Sequence, residues 1–149
     1  MYDRRMFFLL KGRPLVPSSK TASHDLRGSI AVSLRSDSMR AGQAIEGTLQ
    51  IRNIGAAVWH PASIGVGGVK LGIHLLDANG KVLDFDFYRQ ALATQPKIIY
   101  PDERLELTFS TPAPAQGDYF LEFDLVSEGV CWFSNITRTS RKLKIHVAP

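Results

Sequence analysis

The sequence predicts an all-β fold, a two-sheet antiparallel immunoglobulin-like sandwich of about seven to nine strands. Three observations predict it. Apolar and polar residues alternate with period two in stretch after stretch, and no stretch carries a sustained helical period. A strand with one face on a core and one in water reads this way, because successive side chains point to opposite faces. Turn-forming clusters of Gly, Pro, Asn and Asp separate the stretches. Finally, Gly117-Asp-Tyr119-Phe-Leu121 has the layout of a tyrosine corner, with Leu121 standing where an antibody domain carries its second cysteine.

The elements follow in order. Residues 1–28 hold Gly12-Arg-Pro14, Pro17-Ser-Ser19 and Thr21-Ala-Ser23, which form loops, so they are expected to be an N-terminal arm or linker ahead of a sandwich domain spanning 29–149. Ile30, Val32 and Leu34 alternate in a first strand, and Arg40-Ala-Gly-Gln43 turns the chain. Ile45, Gly47, Leu49 and Ile51 make the inward face of a second strand, ended by Asn53-Ile-Gly55. Val69, Leu71, Ile73 and Leu75 face inward in a third. Asp77-Ala-Asn-Gly80 is a hairpin turn, because Asn-Gly takes positive φ readily. Leu83, Phe85 and Phe87 are expected inward on the return strand, with Asp84 and Asp86 opposite. Leu105, Leu107 and Phe109 form the next strand. Tyr119, Leu121, Phe123 and Leu125 line the longest, with Glu122 and Asp124 pointing to water. Glu128-Gly129 bends the chain before Cys131-Trp-Phe133, and Leu143, Ile145 and Val147 close the domain.

Size and charge narrow the function classes. The 149 residues suit one domain. The net charge of +4 is spread over the chain rather than gathered into a stripe with aromatics between the charges, which argues against a nucleic-acid partner. The single cysteine, Cys131, allows no internal disulfide, as in a reducing compartment. The apolar run Met6-Phe-Phe-Leu-Leu10 is too short for an export signal or a transmembrane segment and reads as a strand or docking segment.

Several segments together resemble one family. They are Asn53-Ile-Gly-Ala-Ala-Val-Trp59, Val69-Lys-Leu-Gly-Ile-His-Leu-Leu-Asp77 with Gly80, and Gly117-Asp-Tyr119 running into Asp124-Leu-Val-Ser-Glu-Gly-Val-Cys-Trp-Phe133. They look like the immunoglobulin-like accessory domains attached to bacterial glycosyltransferases and other surface-polysaccharide biosynthesis proteins. The likeness covers about residues 29–148, and the Asp124–Phe133 run is its most specific part. It implies a non-catalytic module, cytoplasmic in a bacterium or held at the membrane through a partner. Such a module would recognise an oligosaccharide or polysaccharide, or would position a glycosyltransferase or transporter. The resemblance carries no binding residues to transfer, and the 149 residues read as the module alone, without the enzyme domain of its usual setting.

The candidate site is therefore read from the residues. Sugars bind through aromatic rings against their C–H faces and through carboxylates and Arg on their hydroxyls. Trp132 beside Glu128, and the cluster Asp86, Tyr88 and Arg89, offer those groups. The competing reading packs Trp132 or Phe133 over one end of the core. It likewise leaves Asp84 and Asp86 as a solvated strand face with an ion pair to Arg89. Two carboxylates on one strand face would suit Ca²⁺, but no Ca²⁺-loop spacing surrounds them. Trp59 is expected to be structural. The histidines, His24, His60, His74 and His146, show no metal-ligand spacing, and nothing in the sequence activates Cys131 as a nucleophile. No Gly-x-Ser-x-Gly, phosphate-loop or zinc motif is present. Neither a catalytic residue, a metal site nor a cofactor is expected. The alternative function is protein–protein interaction, as a homodimer or a docked module, using an edge strand and the segment Met6–Leu10.

Overall fold

The structure, a computed structural model, describes residues 16–149. The docking segment Met6–Leu10 lies outside the described residues. The expected sandwich is present. Its strands are β1 (Gly28–Leu34), β2 (Ser38–Arg40), β3 (Ala44–Asn53), β4 (Val69–Asp77), β5 (Val82–Ala91), β6 (Arg104–Pro112), β7 (Gly117–Ser127), β8 (Cys131–Trp132) and β9 (Arg141–Ala148). One sheet has the order β1-β3-β6. The other has the order β2-β9-β7-β4-β5, with β8 paired to the end of β7. Pairing is antiparallel except for the short β2, which runs parallel to β9.

The period-two pattern becomes the core. Ile45, Leu49 and Ile51 of β3 meet Leu71, Ile73, Leu121, Phe123 and Leu125 across the sandwich, all of them shut off from water. Gly47 stands in the same inward row because a Cβ there would meet the Ser33 carbonyl at 2.7 Å and the Phe109 ring at 2.9 Å. Trp59 is structural, as expected: it is fully buried and meets Phe133 edge-on, with ring centroids 5.4 Å apart. The tyrosine corner is also formed. The Tyr119 hydroxyl donates to the carbonyl of Ala115 at 2.7 Å.

Three expectations need correction. Leu83 and Phe85 do not face the core but are 53% and 50% exposed. The β4–β5 register shifts between Ile73 and Leu75, where Ile73 faces Tyr88 but Leu75 faces Asp84. The extra residues form a bulge, and a bulge re-aims the side chains that follow it. Phe85 turns onto the outer face, and Tyr88 replaces it on the inner one, against Phe109. Asp124 does not reach water; it is buried beneath the β7–β8 turn. And residues 17–27 run against the sandwich rather than away from it. Ser18 bridges Val58 and Leu26 is wholly buried. The Ser19 hydroxyl donates to the Gly67 carbonyl at 2.6 Å and accepts the His60 N–H at 2.9 Å.

Candidate functional site

The outer face of the larger sheet carries an aromatic and charged cluster, assembled from β4, β5, β8 and the turn between β7 and β8. Gly129, with φ of 71°, lets the chain turn tightly after Glu128. The returning strand β8 then lays Trp132 over Gly72. No other residue fits under the indole, since a Cβ on Gly72 would come within 2.5 Å of two ring carbons. Phe85 and His74 complete the aromatic wall. His74 stacks on Phe85 at 4.2 Å and lies tilted against Trp132 at 4.5 Å, while Phe85 meets Trp132 edge-on at 5.2 Å.

Arg89 brings the charges in. Its guanidinium carbon sits 4.9 Å from the Trp132 ring centre, a cation–π contact. One terminal nitrogen donates to Glu128 at 2.5 Å. The Nε lies 2.9 Å from an Asp86 carboxylate oxygen but is not aligned for a hydrogen bond, so that contact is an ion pair only. Lys70 approaches the same Glu128 oxygen at 3.6 Å. Of the residues the sequence singles out, Trp132, Glu128, Arg89 and Asp86 thus share one patch. Tyr88 does not join them. Neighbouring strand residues face opposite ways, and Tyr88 turns inward, its hydroxyl donating to Gln90 at 2.6 Å.

Sequence reasoning missed Phe85 and His74 as members of the patch. The alternating run places Phe85 in the core, and the bulge that moves it is invisible in the residue pattern. His74 has a usable signal, because it falls on the outward parity of β4. The open aromatic surface of the patch is Phe85, half exposed, rather than Trp132, whose ring is walled by Gly72, His74, Phe85 and Arg89.

Beneath the turn, Asp124 accepts the Leu125 N–H at 2.7 Å and the Ser134 hydroxyl. Burial pushes its carboxyl above the ordinary 3.8, partly countered by the Ser134 and Leu125 hydrogen bonds and by His74. Burial, reinforced by Asp124, likewise raises the Cys131 thiol, which works against thiolate chemistry. Asn53 has a comparable role at one end of the sandwich. Its amide donates to the carbonyls of Ala57 and Ile99, and its oxygen accepts the Gly55 N–H. Among the described residues, no group of three or more His, Cys, Asp and Glu is placed to hold a metal ion.

No family model matches the chain, and no curated protein matches its sequence. Solved structures do resemble it in fold. One is the crystal structure of a CARDB domain from Pyrococcus furiosus in complex with di-metal ions. It is 14% identical with a TM-score of 0.52, over 81% of this chain and 87% of that one. A solution structure of the same domain is 16% identical with a TM-score of 0.51, over 83% and 97%. This chain is a β-sandwich domain of that general form. At this identity the likeness extends to fold alone.

Proposed function

We propose that this chain is a non-catalytic accessory module that binds a glycan weakly through the patch around Trp132. The setting is bacterial surface-polysaccharide biosynthesis or export, where the module recognises the glycan or positions a partner enzyme. One observation carries the reading: a half-exposed aromatic ring, Phe85, lies beside the joined charges of Arg89, Glu128 and Asp86 on a rigid sheet face. The ring offers a face to sugar C–H groups, and the carboxylates and guanidinium keep further lone pairs and N–H groups for hydroxyls. Affinity would be low, because each charged group is already paired and a ligand gains only what it adds. The resemblance of Asp124–Phe133 to accessory domains of glycan-making enzymes supports the same setting, a bacterial cytoplasmic one. Among the described residues no helix is long and apolar enough to cross a membrane.

A glycan-array screen of the full chain, with Phe85→Ala and Trp132→Ala alongside, tests this. Selective binding lost in Phe85→Ala is the expected result. Binding that survives both substitutions would move the site elsewhere, and no binding by the folded protein would end the glycan reading.

A further inference from the structure

We propose that two copies of this chain pair through the outer edge of β6, antiparallel about a two-fold axis at Leu105, and so join their smaller sheets into one. The pairing does not depend on the glycan reading. Among the described residues β6 ends the smaller sheet, with β3 on one side only. Its bonding direction is fixed. The Asn53 N–H donates to the Glu103 carbonyl and the Ala113 N–H to the Gln43 carbonyl, so the odd-numbered residues of β6 bond β3. Arg104, Glu106, Thr108 and Ser110 therefore turn their backbone groups outward. The Gln90 side chain donates to one of these, the Thr108 carbonyl, at 3.0 Å. A groove between Leu105–Thr108 and Gln90–Thr94 leaves the edge open to a further strand.

The other edges of the sandwich are covered or guarded. On β1, the Gly28 N–H donates to the Thr139 hydroxyl at 3.4 Å and the Arg141 Nε to the Ile30 carbonyl at 3.1 Å. β5 carries a bulge and two acids, Asp84 and Asp86. The stretch of β9 beyond its pairing with β2 carries Arg141, Lys142 and Lys144. Two copies meeting at β5 or at β9 would set like charges against each other, which is destabilising.

On β6 the charges alternate in sign. With the axis at Leu105, Arg104 of each copy stands directly opposite Glu106 of the other, and opposite charges so placed are stabilising. Within its own sheet Arg104 faces Arg52 and Glu106 faces Gln50, so the second copy supplies a counter-charge that β3 does not. The two half-buried Leu105 side chains meet at the axis. This register also leaves the Gln90–Thr108 bond intact, whereas an axis at Leu107 would bring Glu106 onto Thr108 and displace it. The axis stands perpendicular to the joined sheet, so both larger sheets lie on the same side of it. The patches around Trp132 stay uncovered and face the same way. Only one consequence rests on the glycan reading: two low-affinity patches on one dimer bind a repeating chain more tightly than either alone.

Sedimentation velocity of the full chain, from micromolar to millimolar concentration, tests the pairing. The native chain should shift reversibly from monomer to dimer. Glu106→Arg sets Arg against Arg at both contacts, and Arg104→Glu sets Glu against Glu. Each should weaken dimerisation about tenfold or more. An equimolar mixture of the two variants should restore it, because every contact between them joins opposite charges. Both side chains are exposed, and circular dichroism of each variant checks that the fold is kept. A native chain that stays monomeric throughout would overturn the proposal. So would a dimer that both variants leave unchanged, or a mixture of folded variants that associates no better than its components. None of these readouts involves a glycan, so the two proposals fail separately.

Discussion

The Tyr119 hydroxyl makes one hydrogen bond to the backbone of the turn before β7. Tyr119→Phe removes it and leaves the ring in place, so stability should fall by up to about 1 kcal/mol. Urea unfolding should show a lower midpoint at unchanged slope. Gly72 carries a larger penalty. Gly72→Ala forces Trp132 off the sheet, an overpacking cost of about 1–3 kcal/mol, and the indole emission should change as its ring leaves Arg89 and His74. Asp124 gives a pH signature. Its folded pKa is raised, so the folded state holds its proton over a range where the unfolded chain has lost it. Its contribution to stability is then fully present below the ordinary 3.8 and is lost as pH rises through the folded value. Asp124→Asn should flatten that part of a stability-against-pH curve. A curve of unchanged slope would remove burial as the governing cause. Two of the three segments that carry the family resemblance are explained at this scale. Asn53, Gly55, Asp124 and Phe133 all serve loop geometry or core packing.

Two segments show how elements depart from their residue patterns. The stretch 17–27 has loop composition and no period, yet it is tied down by the Ser19 bonds and by the buried Leu26. Composition reports the want of regular structure. It does not report whether an irregular segment is packed. A chain beginning at Gly28 would uncover apolar surface at Leu26's site and leave the Gly67 carbonyl and His60 N–H without partners. It should lose several kcal/mol, or fail to fold, as read by thermal unfolding. The second segment is β5. Alternation places Phe85 with Leu83 and Phe87 on one face, and that inference holds only while the register is unbroken. The bulge breaks it, and the patch exists because it does.

At the scale of the molecule, most pairings are remote in sequence, the β4–β5 and β7–β8 hairpins excepted. β1 joins β3, β3 joins β6, and β4 joins β7. Loops must close before those contacts can repay the closure, so folding should be slow for a chain this size, in milliseconds to seconds. Stopped-flow refolding followed by Trp emission should show it, since Trp59 goes from water to a dry core. Submillisecond refolding would contradict the non-local topology. The whole sandwich also sets what the patch can do. Its members come from three strands and the turn between β7 and β8, all anchored by the shared core, so a ligand meets a largely preformed surface.

By itself the sequence determined the fold class, the core rows of the long strands other than β5 and the tyrosine corner, and it singled out four members of the candidate patch. Each of these depends on side-chain parity or on local turn chemistry, which are properties of short windows. Only the tertiary structure decided that Asp124 is covered, that Tyr88 turns away from Arg89, that Phe85 is the exposed ring and that residues 17–27 are packed. Each of those depends on a bulge or on contact between segments far apart in the chain, and neither leaves a period in the sequence.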